Sequence, residues 1–190
     1  MSVLTHKEGR VLRVTLNREE HRNLLTREIA HELITAFTTP NDEIGAFLLH
    51  GNGTFFCYGG SPSEIPLQLW TLRLNKPVIA AVQGAALGAG LALVCMAHVA
   101  VAAQGTNFGL LDIRNKTCPP ALDLIAAAIG LRRATELSLT GRTFSALEAQ
   151  QMGLVQEIAP AFEYEDRAEA LAHLLSEADT ETVHQILRVK

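Results

Sequence analysis

Apolar residues near the start of the chain alternate with polar ones and then change to a helical spacing. In the segment RVLRVTLN, residues 10–17, the side chains of Leu12, Val14 and Leu16 share one side of an extended backbone, which predicts a half-buried strand. The segment TREIAHELITAF has instead the period of a helix that buries one face. Its apolar positions are Ile29, Leu33 and Phe37, and its expected N-cap is Thr26.

The rest of the chain continues to alternate between strand patterns and helical patterns, which predicts an α/β protein with a single core. A capping box, Ser145 with Glu148 three residues later, predicts the start of a helix that ends at Gly153. The other predicted strands are IGAFLLH from Ile44, residues 77–83, HVAVAA from His98 and LVQEI from Leu154; the other predicted helices run from the turn after Gln83 to about Ala97, near 163–177 and near 179–188.

Composition narrows the classes of function. The chain has 190 residues and a formal charge of −4, so we expect one domain and find no basic surface that indicates nucleic acid or an anionic membrane as a partner. The apolar run at residues 84–103 contains glycines and His98, which favours a buried helix and strand over a membrane span.

The N-terminal residues and the cysteines bear on the compartment. The first residues, MSVLTHKEGRVLRV, have no apolar core followed by a small-residue cleavage site, so no signal peptide is expected. Cys57, Cys95 and Cys118 are odd in number and far apart, which favours a reducing compartment over a disulfide framework. We therefore expect a cytoplasmic protein. No metal site is predicted, because the histidines and cysteines lack ligand spacing.

Two glycine-rich loops follow predicted buried strands and are the first candidates for chemistry. They are FFCYGGS, residues 55–61, and GAALGAG, residues 84–90. Each loop alone is more often a tight turn, but a pair can direct main-chain N–H groups at one oxygen, as in an oxyanion hole. The second loop misses the last glycine of the G-x-G-x-x-G fingerprint, and no G-K-[ST] follows, so nucleotide binding is not predicted.

Several separated segments together resemble the crotonase (enoyl-CoA hydratase/isomerase) superfamily. In chain order they are VTLNREEHRNLLT, GNGTFFCYGG, KPVIAAVQGAALGAGLAL, TNFGLLDIR and LSLTGRTFSALEAQQMGLVQEI. The resemblance implies a crotonase-like spiral of ββα units over residues 1–158, with residues 159–190 as an abbreviated C-terminal helical segment of the same domain. It also implies an acyl-CoA or other acyl thioester as substrate, no cofactor beyond the coenzyme A of the substrate, and a homotrimer or hexamer.

The family pattern also implies roles for residues in and near the two glycine loops. The backbone N–H groups of Gly60 and Ala89 match the family's oxyanion hole, and the glycines on either side of Ala89 then permit close approach of the thioester carbonyl. The residues implied to contact the nucleotide end of coenzyme A, largely through backbone, are His21, Arg22, Tyr58 and Gly59.

The acid–base positions depart from the family pattern. Family hydratases use two carboxylates; the first position falls here on Ala92, and the second on Asp112, where glutamate is usual. Adding water to a double bond is usually divided between two proton-transferring groups, whereas one group can move a double bond by taking a proton and returning it nearby. A single carboxylate, Asp112, therefore favours isomerisation over hydration.

Three functions are compatible with these residues. The leading one is an enzyme that stabilises a thioester enolate and isomerises or hydrates an enoyl-CoA. The second is a decarboxylase or dehydratase of polyketide type that acts on a carrier-protein-bound thioester, because loss of carbon dioxide itself supplies the carbanion. The third is a catalytically degenerate binding or assembly subunit. The two retained glycine loops favour catalysis over the third function.

Overall fold

Two β-sheets form the framework of the molecule. The structure is a computed structural model, and it describes residues 1–119 and 121–188. The strands of the two sheets are β1 (Val3–Glu8), β2 (Val11–Leu16), β3 (Ala46–Gly51), β4 (Val78–Val82), β5 (Ala85–Leu87), β6 (Val99–Ala103), β7 (Asn107–Gly109), β8 (Thr143–Ser145) and β9 (Glu157–Ala159). The larger sheet has the order β1-β2-β3-β4-β6-β9 and is parallel except for the β1–β2 pair. The smaller sheet has the order β5-β7-β8.

Helices follow the strands in repeated units. Strands β4 and β5 with α3 form one ββα unit, and β6 and β7 with α4 form the next, which confirms the predicted α/β class and its ββα units. None of the described helices is both long and apolar enough to cross a membrane. The helices are α1 (Arg27–Thr38), α2 (Leu67–Trp70), α3 (Ala89–Met96), α4 (Leu122–Ile129), α5 (Leu131–Thr140), α6 (Ala146–Gln151), α7 (Tyr164–Ser176) and α8 (Thr180–Leu187).

The central strands β3 and β4 of the larger sheet are buried on both faces, as is typical of parallel sheets. Because side chains alternate along a strand, Val14 and Leu49 enter the main core on one face. On the other face, Val11 and Leu48 pack with Ala168 of α7 in a second, smaller core. Helix α7 therefore covers this second face of the larger sheet. The division of the chain at residue 158 stays a prediction.

Local signals in the sequence fix the starts of two helices. The Thr26 hydroxyl accepts a hydrogen bond from the Ile29 N–H at 3.3 Å, so α1 begins as predicted. At α6 both hydrogen bonds of the predicted capping box are present, between Ser145 and Glu148. The N-terminal boundaries of both helices are therefore confirmed.

The last predicted strand begins later than its sequence pattern indicates. Leu154 and Val155 are buried, but their N–H groups donate to the Ala149 carbonyl at the end of α6 rather than to a strand. These two residues therefore complete the helix-terminating turn, and the strand, β9, begins at Glu157.

Candidate active site

The two glycine-rich loops lie side by side. The Cys57 N–H donates to the Ala85 carbonyl at 3.1 Å, and the Leu87 N–H donates to the Cys57 carbonyl at 3.0 Å. These bonds form a short parallel bridge between the loop after β3 and strand β5. Gly60 follows Cys57 in the first loop and Gly88 follows β5, and both residues line the same cavity.

Close backbone packing explains two of the glycines. A Cβ on Gly90 would lie 2.2 Å from the Cys57 carbonyl oxygen, and a Cβ on Gly60 would lie 2.4 Å from the Leu25 carbonyl oxygen. Carbon and oxygen cannot approach this closely without repulsion, so a side chain at either position requires the backbone to move. The two glycines therefore hold α3 and the start of α1 against the first loop.

Gly88 is required for a different reason. Gly88 directly precedes the first residue of α3. Its backbone angles, φ +51° and ψ −115°, lie in a region that residues with a side chain rarely occupy. A Cβ on Gly88 would also lie 3.4 Å from Oδ2 of Asp112. The α3 turn is therefore open toward the Asp112 carboxyl group.

Gly60 and Ala89 each present an N–H group that donates no hydrogen bond to another described residue. Ala89 is the first residue of α3, where N–H groups have no acceptor within the helix. Gly60 lines the cavity, and Ala89 directly follows Gly88, which also lines it. Ala89 itself is buried and is not among the residues that line the cavity, so the action of the two N–H groups as a pair stays a prediction.

The cavity has a volume of about 550 Å³, within the range of small-molecule sites. Its walls come from the start of α1, the first glycine loop, the Gly88 turn and the segment after β7. Leucine side chains form an apolar part of the lining, and polar side chains form another. The leucines are Leu24, Leu25, Leu87 and Leu111, and the larger polar residues are Tyr58, Glu64, Asp112, Asn115 and Thr117.

Asp112 has a buried carboxyl group in this wall. It begins a 3₁₀ turn, Asp112–Asn115, and its backbone carbonyl accepts hydrogen bonds from the N–H and the hydroxyl of Thr117, both at 3.1 Å. The residue is 6% exposed, and no described group donates a hydrogen bond to its Oδ2. Burial raises the pKa of the carboxyl group, and the smaller opposing effect is a hydrogen bond from the N–H of the same residue, which lowers that pKa. Such a group suits proton transfer.

Ala92 lies in the main core and not in the cavity wall. Its side chain is fully buried, and its N–H donates to the Gly88 carbonyl at 3.1 Å within the first turns of α3. The structure therefore supplies no proton-transferring group at this position. Any second such group must come from another part of the cavity lining.

The residues implied to bind coenzyme A divide into two sets. Tyr58 and Gly59 line the cavity, whereas His21 and Arg22 lie outside its walls. The Arg22 guanidinium lies over the Tyr58 ring, 5.0 Å from the centroid, and the Tyr58 N–H donates to the Arg22 carbonyl at 3.0 Å. His21 is exposed beside Glu20. Arg22 and Tyr58 therefore form one unit at the edge of the cavity.

The structure also brings together groups that sequence spacing does not connect. Glu8, Glu169 and His173 place potential metal-ligand atoms within 4.8 Å of one another. The Arg13 guanidinium forms an ion pair with Glu169 at 3.0 Å, which balances part of the negative charge of the two glutamates. This cluster includes α7, on the opposite face of the larger sheet from the main core, and shares no residue with the cavity.

Comparison with known proteins gives one consistent family. The profile described as "Enoyl-CoA hydratase/isomerase" matches residues 6–188. A probable enoyl-CoA hydratase of Mycobacterium tuberculosis is 32% identical over 194 aligned positions, which cover 93% of this chain and 76% of that protein. The 2,3-dehydroadipyl-CoA hydratase of Escherichia coli is 32% identical over 177 positions, which cover 84% of this chain and 69% of that protein.

Solved structures show the same similarity. The crystal structure of an enoyl-CoA hydratase from Mycobacterium tuberculosis has a TM-score of 0.91 at 27% identity, covering 98% of this chain and 80% of that one. The enoyl-CoA hydratase from Mycobacterium avium has a TM-score of 0.86 at 30% identity, covering 98% and 86%. The fold expected from the sequence resemblance is confirmed.

Proposed function

The chain belongs to the enoyl-CoA hydratase/isomerase family, and we propose that it moves the double bond of an enoyl-CoA through a thioester enolate. The family supports an enzyme of acyl-CoA thioesters. The observation that carries the choice of isomerisation is Asp112, whose buried, unpartnered Oδ2 lies beside the Gly88 turn while Ala92 is packed in the core. One carboxylate is sufficient for this reaction.

The proposed chemistry transfers one proton out and back. The Asp112 carboxylate takes a proton from the α carbon of a 3-enoyl thioester. The electrons of that C–H bond enter the π system as a dienolate, whose negative oxygen accepts hydrogen bonds from the Gly60 and Ala89 N–H groups. Asp112 then returns the proton to the γ carbon, and the double bond lies between the α and β carbons. A raised pKa helps Asp112 to hold the proton between the two steps.

The remaining expectations complete the proposal. The nucleotide end of coenzyme A binds along His21, Arg22, Tyr58 and Gly59, where the Arg22–Tyr58 unit gives a cationic edge to the cavity. The reaction needs no cofactor apart from the coenzyme A of the substrate. The assembly is a homotrimer or hexamer, to be tested by light scattering of the purified protein.

The test is proton exchange in deuterated buffer with saturated and unsaturated acyl-CoA thioesters, followed by NMR. Asp112→Asn should retain thioester binding and lower the exchange rate at the α or γ carbon by about 10²–10⁴-fold, because it removes the base but preserves the shape of the side chain. Asp166→Asn, an exposed position on α7, is the matched control.

Two results would redirect the assignment. Unchanged exchange in Asp112→Asn would remove Asp112 from the mechanism. If the wild-type protein exchanges no proton of any acyl-CoA for deuterium, the same measurement with pantetheine-linked carrier substrates distinguishes the carrier-protein enzyme from a non-catalytic subunit.

A further inference from the structure

A second carboxylate, Glu64, lines the same cavity as Asp112. It follows the Gly60 loop, whereas Asp112 follows β7, so the two carboxylates reach the cavity from separate segments of the chain. Among the described residues that line the cavity, these two are the carboxylates. Glu64 lies neither on α3 nor at either position that the family pattern assigns to acid–base chemistry.

The backbone next to Glu64 is fixed relative to the proposed oxyanion site. The Glu64 N–H donates to the Ser61 carbonyl at 3.0 Å, which closes a turn directly after Gly60. The next residue, Ile65, is 6% exposed, and its Cδ1 atom lies 3.2 Å from the point that a Cβ on Gly60 would occupy. Burial of Ile65 against Gly60 therefore anchors the base of Glu64 at the cavity.

The surroundings of the two carboxylates differ in a way that suits different roles. Asp112 is buried, and its pKa is raised by burial, which favours the protonated form. Glu64 is exposed, and its carboxylate has no ion-pair partner or hydrogen-bond donor in the described chain. Glu64 is therefore accessible to water and not committed to a structural contact.

Building on the proposed enolate chemistry, we infer that Glu64 is a second catalytic acid–base residue and that it enables the site to add water to a 2-enoyl thioester. Glu64 takes a proton from a water molecule as the water oxygen bonds to the β carbon. The π electrons of the double bond move to form the enolate, which the Gly60 and Ala89 N–H groups stabilise.

Protonated Asp112 then gives its proton to the α carbon, and the enolate electrons form the new C–H bond. One water molecule has been added. Glu64 holds a proton and Asp112 has lost one, so exchange with solvent water restores the starting state. Asp112 exchanges protons at the α carbon in both hydration and isomerisation, whereas Glu64 acts only when water is added.

This difference defines the experiment. Hydration of crotonyl-CoA, followed by loss of enoyl absorbance, and α-proton exchange of a saturated acyl-CoA are measured for wild type, Glu64→Gln, Asp112→Asn and the exposed control Glu177→Gln. We expect Glu64→Gln to lower the ratio of the hydration rate to the exchange rate about 100-fold. Asp112→Asn lowers both rates, and Glu177→Gln keeps the wild-type ratio.

The outcomes separate this inference from the proposed function. A wild-type ratio in Glu64→Gln, or exchange without any hydration by the wild-type protein, would overturn the role of Glu64 and leave the enolate chemistry intact. Absence of both reactions in the wild-type protein would overturn the proposed function as well. Circular dichroism of each variant confirms that it is folded.

Discussion

Single residues in this site are constrained by backbone contacts as much as by chemistry. Gly90 belongs to α3, where glycine is normally less stable than alanine by up to about 1 kcal/mol. Here the helix packs so closely on Cys57 that a methyl group would meet a carbonyl oxygen. The position therefore retains glycine against the local helix preference, and the benefit is the close contact between the two loops.

Gly90→Ala should destabilise the protein by about 1–3 kcal/mol despite the better helix propensity of alanine, because the backbone at Cys57 must move. The same movement displaces Gly60, so turnover should fall as well. Urea unfolding and the proton-exchange assay measure the two effects. Gly105→Ala is the control for turnover: a Cβ there meets no atom within 4 Å, so that variant loses stability only through its φ of +84° and should keep the wild-type exchange rate. Full activity in Gly90→Ala would show that the contact does not position the loop.

At the scale of the element, sequence patterns predicted the segments that contain their own stabilising signals. Helix α1 has a threonine cap and a regular apolar face, and α6 has a complete capping box. The short strands β5, β7 and β8 escaped prediction because each has three residues and is stabilised by pairing with a distant segment. Helices α4 and α5 were not predicted, and a missing side-chain cap does not explain this, since α3 and α7 also lack one and were predicted.

Ser145→Ala tests how much the capping box contributes to α6. Alanine has no side-chain oxygen that can accept the hydrogen bond from the Glu148 N–H, so we expect a loss of about 1 kcal/mol in the free energy of unfolding. For a chain of this length that corresponds to a fall of roughly 2–4 °C in the melting temperature. Ser145→Thr, which keeps a hydroxyl cap, should recover most of the loss. Equal melting temperatures for alanine and threonine would indicate that other contacts hold the start of α6.

At the scale of the whole molecule, the sequence could place the two glycine loops on the same side of a parallel sheet, because both follow buried strands. It could not place Glu64 in the cavity, since that depends on how Ile65 packs against Gly60. It also could not show that α7 would cover the far face of the sheet. That packing brings the Arg13 guanidinium to Glu165 and Glu169 and places these charges near His50.

His50 makes the stability of this α7 interface depend on pH. The Nε2 atom of His50 is 2.9 Å from the Thr15 hydroxyl, and burial lowers the pKa of the imidazole more strongly than nearby Glu165 raises it. Between the lowered pKa of the folded state and the ordinary histidine pKa of about 6.5, the unfolded chain binds more protons than the folded chain. The His50 contribution to stability is therefore present above pH 6.5 and is lost as pH falls through this window.

Comparison of wild type with His50→Gln isolates this effect, because the glutamine amide can keep a hydrogen bond to Thr15 but does not titrate. We expect the wild-type free energy of unfolding to fall more than that of the variant between pH 8 and about pH 5.5, in urea titrations at each pH. Asp112 has a raised pKa and acts in the opposite direction, since its cost to stability appears as pH rises. It is present in both proteins, so its effect cancels in the difference. A pH-independent difference between the two proteins would show that His50 does not titrate on unfolding, and the pH response of the molecule would then have to come from its other histidines and its carboxylates.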